Sequence, residues 1–328
     1  MKNIEQFDSM PLKRLVYCES INDVMRIEGD LERIYEGNQL WFRGVSKAFY
    51  RLKPSIQRSA KLIADQFGRF ADPNKYRFAT SGDEYLYLDS WKLLSKFKNA
   101  LIEKSIIEDN KYSDMELLFI GQHYGLPTPL LDWTEDIRIA LWFATEGVNI
   151  RPREIIESTE INQMCELSEE FAAIYVMPPA EFNKIGCAQF ENFYEELISP
   201  EIYGDLIVSH YLMDTDIAFP VAIKGKPIDK RLINQKGNFT IHGYNLQEID
   251  YIGDYRKMLT KIIIPHYLIK EIRDFLQSMK IDKNYVYGDR NQKDEVGEQI
   301  KSVADAAFKT EYPIIQEMIR GKTLKWGI

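Results

Sequence analysis

The stretch Gln122–Thr134, QHYGLPTPLLDWT, and the ALWFA run at Ala140–Ala144 carry the clearest structural signals in this 328-residue chain. A His-Tyr pair ends an apolar helix there, and a Gly-Leu-Pro turn follows at Gly125–Pro127. Glycine commonly ends a helix and proline cannot continue one, so the first helix must stop at this turn. The run Leu130–Thr134 then enters a second helix. The segment therefore predicts two helices joined by a tight turn and a short apolar run.

A second motif lies upstream, where the WFRG sequence at Trp41–Gly44 ends a predicted aromatic strand, Gln39–Arg43. An arginine keeps its charge at any working pH and can bind a phosphate pair through a two-pronged hydrogen bond. Gly44 permits a close backbone approach beside it. From residue type alone a structural role is favoured slightly, in which Arg43 pairs with a carboxylate such as Asp132. The ligand-binding role and the structural role both stay open at this point.

Helix patterns dominate the first half of the chain and short strand-like runs the second, without regular alternation of strand and helix. The helix patterns are Ser20–Glu36, Asp83–Ile107, Asp114–Tyr124, Glu135–Glu146 with Thr134 as its cap, Ile269–Met279 and Asp294–Arg320. The strand-like runs are Ala172–Met177, Phe219–Ile223, Phe239–His242, Ile249–Ile252 and Thr260–Ile264. This arrangement predicts an α+β fold in which a helical N-terminal half packs on a small mixed or antiparallel sheet.

Composition and charge narrow the function classes. With 45% hydrophobic and 12% aromatic residues the chain can bury a substantial core. Its net charge of −8 argues against broad nonspecific nucleic-acid binding, which needs a basic surface. A local basic groove stays open, because four basic residues follow the Arg-Gly motif closely: Lys47, Arg51, Lys53 and Arg58.

The cellular location is predicted from two kinds of segment that are not seen in the sequence, namely a signal peptide and a membrane span. The start, MKNIEQFDSM, is polar and acidic, and no apolar run approaches the ~20 residues of a membrane span. Three irregularly spaced cysteines do not indicate a disulfide framework. The four histidines lie far apart, so no metal site is expected. We therefore expect a cytoplasmic protein without a membrane partner or a metal.

Together these motifs resemble the FRG domain, a bacterial family named for its (Phe/Tyr)-Arg-Gly motif. The similar segments also include Leu52–Arg58, Arg231–Ile241 and Lys261–Pro265. The resemblance implies an FRG domain at residues 39–290 with a polar insertion near 151–170. Residues 1–38 would form a helical lead-in, and residues 291–328 a C-terminal helix packed on the same domain. The family pattern usually has an arginine after Gly-Leu-Pro-Thr, where this chain has Pro129.

The order of the motifs is also similar to that of arginine-type mono-ADP-ribosyltransferases. In those enzymes an aromatic-Arg-Gly strand precedes a Ser-Thr-Ser strand, a helix with an Ala-x-x-Phe pattern, and a late strand with a catalytic glutamate. Here Phe42–Gly44 is followed by Asp132–Thr134 and Ala140–Phe143, and the third position falls near Gln235. This resemblance implies an ADP-ribosyltransferase-like core that takes NAD as its substrate.

The resemblances also imply roles for individual residues. Arg43 would hold the pyrophosphate, Asp132 or Thr134 would fix the nicotinamide ribose, and Tyr124 or Trp133 would stack on the ring. The candidate catalytic residues are Arg43, His123, Asp132 and Gln235. The candidate ligand-binding residues are Arg43, Gly44, Tyr124, Thr128, Trp133 and Thr134.

His123 is proposed as a general base because a histidine pKa suits that task. The alternative is a helix-terminal histidine whose ring is satisfied by a backbone carbonyl.

Two departures bear on activity. Asp132 occupies the place of a serine, and no glutamate stands in the segment around Gln235. Glu248, from a neighbouring strand, is the substitute that spacing suggests. The sequence therefore supports two hypotheses. A glutamate that faces Arg43 across the binding site would favour the first of them, and its absence would favour the second. In the first, the chain binds NAD and transfers or hydrolyses ADP-ribose as a bacterial toxin or anti-phage effector, with the acceptor and the oligomeric state left open. In the second, it is a non-catalytic module that binds a nucleotide, a nucleic-acid end or another partner.

The sequence makes two spatial predictions. Arg43, His123, Asp132 and Thr134 converge on one concave site, because polar residues within apolar surroundings line pockets. A strand over residues 234–241 forms the far wall, with Gln235 pointing inward and a glycine at position 237 leaving room for the ligand.

Overall fold

The computed structural model describes residues 14–58, 61–64, 84–86, 88–150, 170–213, 217–228, 230–288 and 295–325. The strands are β1 (Arg14–Tyr17), β2 (Trp41–Val45), β3 (Lys61–Ala64), β4 (Glu84–Leu86), β5 (Leu130–Thr134), β6 (Phe171–Met177), β7 (Val221–Ile223), β8 (Gly237–Ile241) and β9 (Thr260–Pro265). The α-helices are α1 (Ile21–Ile34), α2 (Ser55–Arg58), α3 (Ser90–Glu103), α4 (Asp114–His123), α5 (Ile137–Thr145), α6 (Pro179–Gly186), α7 (Pro200–Val208), α8 (Lys230–Asn234), α9 (Gly253–Met258), α10 (Ile269–Ser278), α11 (Lys283–Tyr287) and α12 (Glu295–Lys325).

The centre of the molecule is a seven-stranded mixed sheet with the order β1-β9-β6-β2-β5-β8-β7, beside a separate antiparallel pair β3-β4. Only β1 and β9 are parallel neighbours in the seven-stranded sheet; its other pairs are antiparallel. This confirms the α+β class. The expected division of the chain into a helical half and a strand half is wrong. Strands β1, β2 and β5 from the first half lie among strands of the second half, because long-range pairing sets the order.

The sheet opens between its two central strands. Strand β2 pairs with β6 along its whole length, and β5 pairs in the same way with β8. Between β2 and β5 the register has a single pair, Phe42 with Thr134. Beyond that pair the two strands diverge, so the edge groups of Arg43–Val45 and Leu130–Trp133 face a gap. This split positions the candidate site.

Helix α5 covers the split from one face of the sheet and packs directly on β2. A Cβ at Gly44 would lie 1.8 Å from the carbonyl oxygen of Ala140 and 2.7 Å from the amide nitrogen of Ala144. These are backbone atoms of the helix, which cannot move aside without moving α5. The glycine of the Arg-Gly motif is therefore required because the helix backbone passes over it.

The turn before β5 forms as the sequence predicts. Ser113 caps α4 in a reciprocal capping box with Glu116, and Gly125 follows the helix with a positive φ of 90°. Strand β5 then pairs with β8 in the register Asp132 with Phe239. The chain thus turns back from α4 into the middle of the sheet, which brings the end of α4 next to β5.

Apolar side chains cover both faces of the sheet. On one face Phe119, Phe239 and Ile241 belong to a core cluster that α3, α4 and α12 also join. On the opposite face Trp133 packs with Tyr175 and neighbouring strand residues. Successive side chains of a strand point to opposite faces, so Asp132 and Trp133 are directed to different sides of β5.

Several element boundaries differ from the prediction. Helix α3 begins at Ser90 with Asp89 as its cap, and Glu84–Leu86 forms a strand. Helix α5 is capped by Asp136 instead of Thr134, since the Asp136 carboxylate accepts from the Arg138 amide. The fourth strand-like run, Ile249–Ile252, forms a 3₁₀ turn at Ile249–Tyr251. The strand predicted over residues 234–241 begins only at Gly237, because the helical turn α8 precedes it.

The C-terminal helix α12 packs on the rest of the described fold. Val303, Ala304 and Ala307 are buried in the same cluster as Phe97 of α3. The carboxylate of Glu311 pairs with Lys92 at 2.9 Å and with Lys96. The helix thus belongs to the α3 side of the sheet, although its boundary as a separate unit stays a prediction. The polar insertion predicted near 151–170 lies outside the described residues, apart from its last residue.

No helix in the described ranges combines the length and the apolar character that a membrane span requires.

We expect Gly44→Ala to destabilise the fold by about 3 kcal/mol or more, since a clash with helix backbone exceeds the usual 1–3 kcal/mol of overpacking. The control is Gly29→Ala, at a helical position where a Cβ meets nothing within 4 Å. That change should stabilise the protein by about 0.5–1 kcal/mol because alanine favours helix. Denaturant unfolding measures both. Equal stability of the two variants would contradict the close packing of α5 on β2.

A pH-dependent prediction concerns Glu28 on α1. Burial first, then the charges of Glu32 and Asp136, raise the pKa of Glu28 from 4.5 to about 7. The folded protein thus prefers the protonated form, so stability falls as the pH rises from about 4.5 to 7. Glu28→Gln should be more stable than the wild type at pH 8, by roughly 1 kcal/mol after solvent screening, and not at pH 4. Melting temperatures at both pH values test this, and a variant less stable at pH 8 would refute it.

Candidate functional site

A cavity of about 210 Å³ opens where β2 and β5 diverge. We call it the Arg43 cavity. Its wall is built by β2, β5, β8, the end of α4, one residue of α5 and the segment that includes α8. The described residues that line it are Phe42, Arg43, Gly44, Phe119, Gln122, His123, Asp132, Trp133, Thr134, Phe143, Ile228, Arg231, Leu232, Gln235 and Phe239. Arg43, His123, Asp132 and Thr134 are thus brought to one cavity, although they come from separate motifs.

The Arg43 side chain occupies the gap between the diverging strands and is 17% exposed. Its Nη1 donates a hydrogen bond of 2.6 Å to the backbone carbonyl of Asp132. This side-chain hydrogen bond joins β2 to β5 at a place where the backbone hydrogen bonds of a continuous sheet would otherwise join them. The Nε of Arg43 is buried and has no hydrogen-bond partner among the described residues. A buried donor without a partner costs stability, so the described fold does not satisfy every donor of this guanidinium.

The Arg43 and Asp132 side chains form only a loose ion pair. Nη1 lies 3.6 Å from Oδ2, and the Asp132 side chain is 55% exposed. Burial lowers the pKa of Arg43, and the nearby Asp132 carboxylate acts in the opposite direction. The guanidinium still stays charged in the working pH range, because the ordinary pKa of an arginine side chain lies far above that range. The site therefore presents a cation and an accessible carboxylate side by side.

Asp132 is oriented by Gln122 at the end of α4. The Gln122 Nε2 donates to both carboxylate oxygens of Asp132, at 3.1 and 3.0 Å. Its Oε1 accepts from the hydroxyl of Thr128, which itself accepts from the Leu130 amide. Ser55 accepts from the Thr128 amide at 3.1 Å. The Gly-Leu-Pro-Thr turn thus fixes the orientation of the exposed carboxylate through one amide side chain.

Thr128 is therefore a supporting residue and not a wall residue. It is fully buried and does not belong to the lining of the cavity in the described part of the chain. Gln122, which the sequence analysis did not select, lies in the wall instead. A glutamine followed by histidine at the end of a helix, ten residues before the aspartate, is the signal that was available.

The apolar part of the wall comes from phenylalanines. Phe119 and Phe239 are stacked, with centroids 4.7 Å apart and an interplanar angle of 18°. Phe42 and Phe143 lie on the α5 side of the cavity. Phe42 and Phe119 are 3% and 1% exposed and belong to the core, and both also line the cavity, as does Phe143.

The predicted stacking residues, Tyr124 and Trp133, are placed differently. Tyr124 packs against the α3–α4 core cluster and is not among the described lining residues. The indole of Trp133 is 2% exposed on the opposite face of the sheet, and its Nε1 donates to Thr240. Trp133 thus lines the cavity as an almost fully buried residue, and Tyr124 is not among the described lining residues. Strand alternation explains this for Trp133, since its neighbour Asp132 takes the cavity side.

Thr134 and Gly44 line the cavity, but their groups already serve the fold. The Thr134 hydroxyl donates to the Gln235 carbonyl at 2.6 Å and accepts from the Asp136 amide at 3.0 Å. The predicted ribose contact of Thr134 would therefore have to use the remaining acceptor site of this hydroxyl. The close approach that Gly44 allows is made by the α5 backbone at Ala140 and not by a ligand.

The predicted third wall is present, but in another conformation. Gln235 lies in the turn between α8 and β8, so it is not a strand residue, although it does line the cavity. Its Nε2 donates to the Val286 carbonyl of α11 at 3.0 Å. The space beside Gly237 is filled by the Leu232 side chain, whose Cδ1 would be 2.4 Å from a Cβ there.

Glu248 does not substitute for the missing glutamate. It is 1% exposed, precedes the 3₁₀ turn, and pairs with Lys53 at 3.5 Å. Among the described residues that line the cavity, Asp132 is the sole carboxylate.

His123 lines the cavity at the end of α4, with its ring edge-on to Tyr124 at 4.7 Å. A second histidine, His242, lies nearby and is held neutral. Burial, followed by the charge of Arg43, lowers the pKa of His242 to about 3. The Thr240 hydroxyl accepts from the Trp133 indole and also lies 3.1 Å from Nε2 of His242, within hydrogen-bond distance.

The wall contains a second guanidinium that sequence reasoning did not single out. Arg231 is the second residue of α8 and is half-buried, and the backbone amide of Gln235 donates to its carbonyl. The two residues are four apart on one helical turn, which is the signal that could have linked them. The segment Arg231–Ile241 carries part of the family resemblance, but the only site residue predicted in it was Gln235.

The predicted basic groove does not form as a set of available cations. The residues concerned are Lys47, Arg51, Lys53 and Arg58. Arg51 is 9% exposed and pairs at 3.2 Å with the fully buried Asp250, and Lys53 pairs with Glu248. Two of the four positive charges are thus paired with carboxylates inside the fold, so these residues give little support to a nucleic-acid groove.

Within the described residues, no group of three or more His, Cys, Asp or Glu side chains is arranged to hold a metal ion.

In a comparison with protein families, the model described as FRG domain matches residues 38–151. An FRG domain is therefore present, and it contains Arg43, Gln122 and Asp132. The assignment of residues 152–290 to the same domain stays a prediction. No curated protein and no solved structure matches this chain, so the ADP-ribosyltransferase-like core also stays a prediction.

Replacing Arg43 or Asp132 one at a time should change the free energy of unfolding by different amounts. We expect Asp132→Asn to change stability by less than about 1 kcal/mol, because the lost charge is exposed. Arg43→Met should cost about 1–3 kcal/mol, because it leaves the Asp132 carbonyl in the split without a donor. Denaturant unfolding measures both. Equal losses of ~3–5 kcal/mol would instead indicate a tightly coupled buried ion pair.

Proposed function

We propose that the Arg43 cavity binds a nucleotide, with NAD as the leading candidate. One observation carries the proposal: the Arg43 side chain is 17% exposed, its Nε has no partner in the described fold, and it lies in a cavity wall beside a fixed, half-exposed carboxylate. A purely structural arginine would have its donors satisfied by the fold. The remaining donors of Arg43 suit phosphate oxygens, which accept two parallel hydrogen bonds from one guanidinium.

The charges of the wall favour an anion. Among the described lining residues two guanidiniums, Arg43 and Arg231, face a single carboxylate, Asp132. The loose ion pair leaves Arg43 only partly neutralised. An anionic group can therefore enter without displacing a tight salt bridge.

The carboxylate suits the sugar of a nucleotide. Gln122 holds both oxygens of Asp132, and 55% of the side chain stays exposed. A carboxylate oriented in this way accepts hydrogen bonds from neighbouring hydroxyls of a ribose, which act as donors. The phenylalanine wall provides an apolar surface for a planar ring.

The size of the cavity limits how a dinucleotide would lie. Its volume of about 210 Å³ is below the ~300–1,000 Å³ of pockets that enclose drug-sized ligands. One half of NAD would therefore be enclosed and the other would extend along the open side.

Binding is favoured over fast ADP-ribosyl transfer. The described lining residues include no glutamate, and the Gln235 amide is already bonded to the Val286 carbonyl. A glutamine cannot act as a base in any case. The non-catalytic nucleotide-binding module therefore has better support than a transferase.

A second candidate function is slow hydrolysis of NAD. It depends on Asp132, whose accessible carboxylate could stabilise the positive charge that develops on the ribose when nicotinamide departs. This activity would make a role as a bacterial toxin or anti-phage effector plausible, since NAD loss harms a cell.

Calorimetric titration of the full chain with NAD tests the proposal. We expect Arg43→Lys to weaken NAD binding about tenfold or more, because lysine keeps the charge but loses the planar fork. The matched control is Arg33→Lys, whose side chain is 77% exposed and paired with Asp30 on α1. No binding by the wild type, or equal affinity of the two variants, would refute the proposal.

The same samples distinguish the two candidate functions. Nicotinamide release by the wild type that disappears in Asp132→Asn would favour hydrolysis, whereas binding without release would favour the module.

A further inference from the structure

The rim of the Arg43 cavity opposite β2 is held by α11, which no sequence motif pointed to. Three groups at that rim contact this short helix. The Gln235 amide donates to Val286, the Asn234 amide donates to the Tyr285 carbonyl at 2.7 Å, and the Arg231 guanidinium lies over the Tyr287 ring.

Arg231 is charged and available. Its guanidinium carbon lies 5.1 Å from the centroid of the Tyr287 ring, a cation-π distance. No carboxylate lies within salt-bridge distance of Arg231 in the described part of the chain. Its charge is thus supported by a ring face and not by an anion, which leaves the hydrogen-bonding edge of the guanidinium for a ligand.

The Tyr287 ring is itself fixed on two sides. Its hydroxyl donates to the Glu146 carboxylate that follows α5, and its edge packs against Phe143 at 6.3 Å between centroids. Burial and the hydrogen bond to Glu146 raise the pKa of Tyr287 to about 12, so the hydroxyl remains a donor near neutral pH. The ring therefore has one orientation, and Arg231 is directed by it.

We infer that Arg231 is a second phosphate-binding residue, positioned by Tyr287, and that the ligand carries two linked phosphates. This inference rests on the proposed nucleotide binding and names the ligand class within it. Arg43 enters the cavity from β2 and Arg231 from α8, so two guanidiniums reach one cavity from different walls. One arginine can bind a single phosphate through two parallel hydrogen bonds. A pyrophosphate has a second phosphate group, whose oxygens can accept hydrogen bonds from the second arginine.

The test compares adenosine, AMP and ADP as probes in calorimetric titrations of the full chain. For the wild type we expect ADP to bind about tenfold or more tightly than AMP, as a second charge-assisted contact would provide. Arg231→Gln should remove this ADP-over-AMP preference and leave AMP affinity nearly unchanged. Arg33→Gln, at an exposed arginine of α1, is the control and should retain the preference.

Two variants test the positioning role of Tyr287. Tyr287→Phe keeps the ring face under Arg231 and should retain most of the ADP preference. Tyr287→Leu removes the ring face and should lose most of the preference, with AMP affinity retained. Thermal melts of both variants check folding, and the ratio of affinities is a readout that general destabilisation does not change.

The outcomes separate the two proposals. If Arg231→Gln binds ADP over AMP as the wild type does, while Arg43→Lys weakens both nucleotides, the second phosphate site is wrong and nucleotide binding stands. If the wild type binds none of the three probes and no NAD, nucleotide binding fails and the inference fails with it.

Discussion

The structure depends on the way β2 and β5 separate in the middle of the sheet. A mixed sheet normally joins neighbouring strands by a continuous ladder, and here the ladder between these two strands consists of one register pair. The open edge costs hydrogen bonds, which must be recovered elsewhere. Arg43 recovers one of them through the Asp132 carbonyl, and α5 covers the gap by packing on Gly44. The Arg-Gly motif thus stabilises the split and lines the cavity that the split creates.

The same residues explain why the cavity is rigid on one side. The Gly-Leu-Pro-Thr turn places Thr128 under Gln122, and Gln122 holds both oxygens of Asp132. Thr128, Gln122 and Asp132 are thus connected by hydrogen bonds that run from the turn through α4 to β5. An exposed carboxylate normally samples many orientations, so its fixation by an amide is an arrangement suited to ligand recognition. The opposite rim depends on α11, a helix far away in sequence.

Several site predictions were correct in position but not in role. Thr134 and Gly44 line the cavity, yet the hydroxyl of one is bonded within the fold and the other accommodates a helix backbone. Trp133 was taken as a stacking residue, but alternation along β5 directs its ring to the other face once Asp132 faces the cavity. Residue type and spacing could not distinguish these cases. The competing partners of Trp133 and Thr134 lie 107 and 101 residues away in sequence, at Thr240 and Gln235.

The sequence by itself determined the α+β class, the helix that ends at Gly125, the strand that carries Arg43, and the motifs that form the first part of the cavity. These features follow from local rules, namely helix capping, the limits of proline and glycine, and apolar periodicity. Only the tertiary structure decided the order of the strands, the split between β2 and β5, and the presence of Arg231 and Tyr287 at the rim. Those features arise from pairing and packing between distant segments, whose energies depend on which neighbours the whole fold brings together.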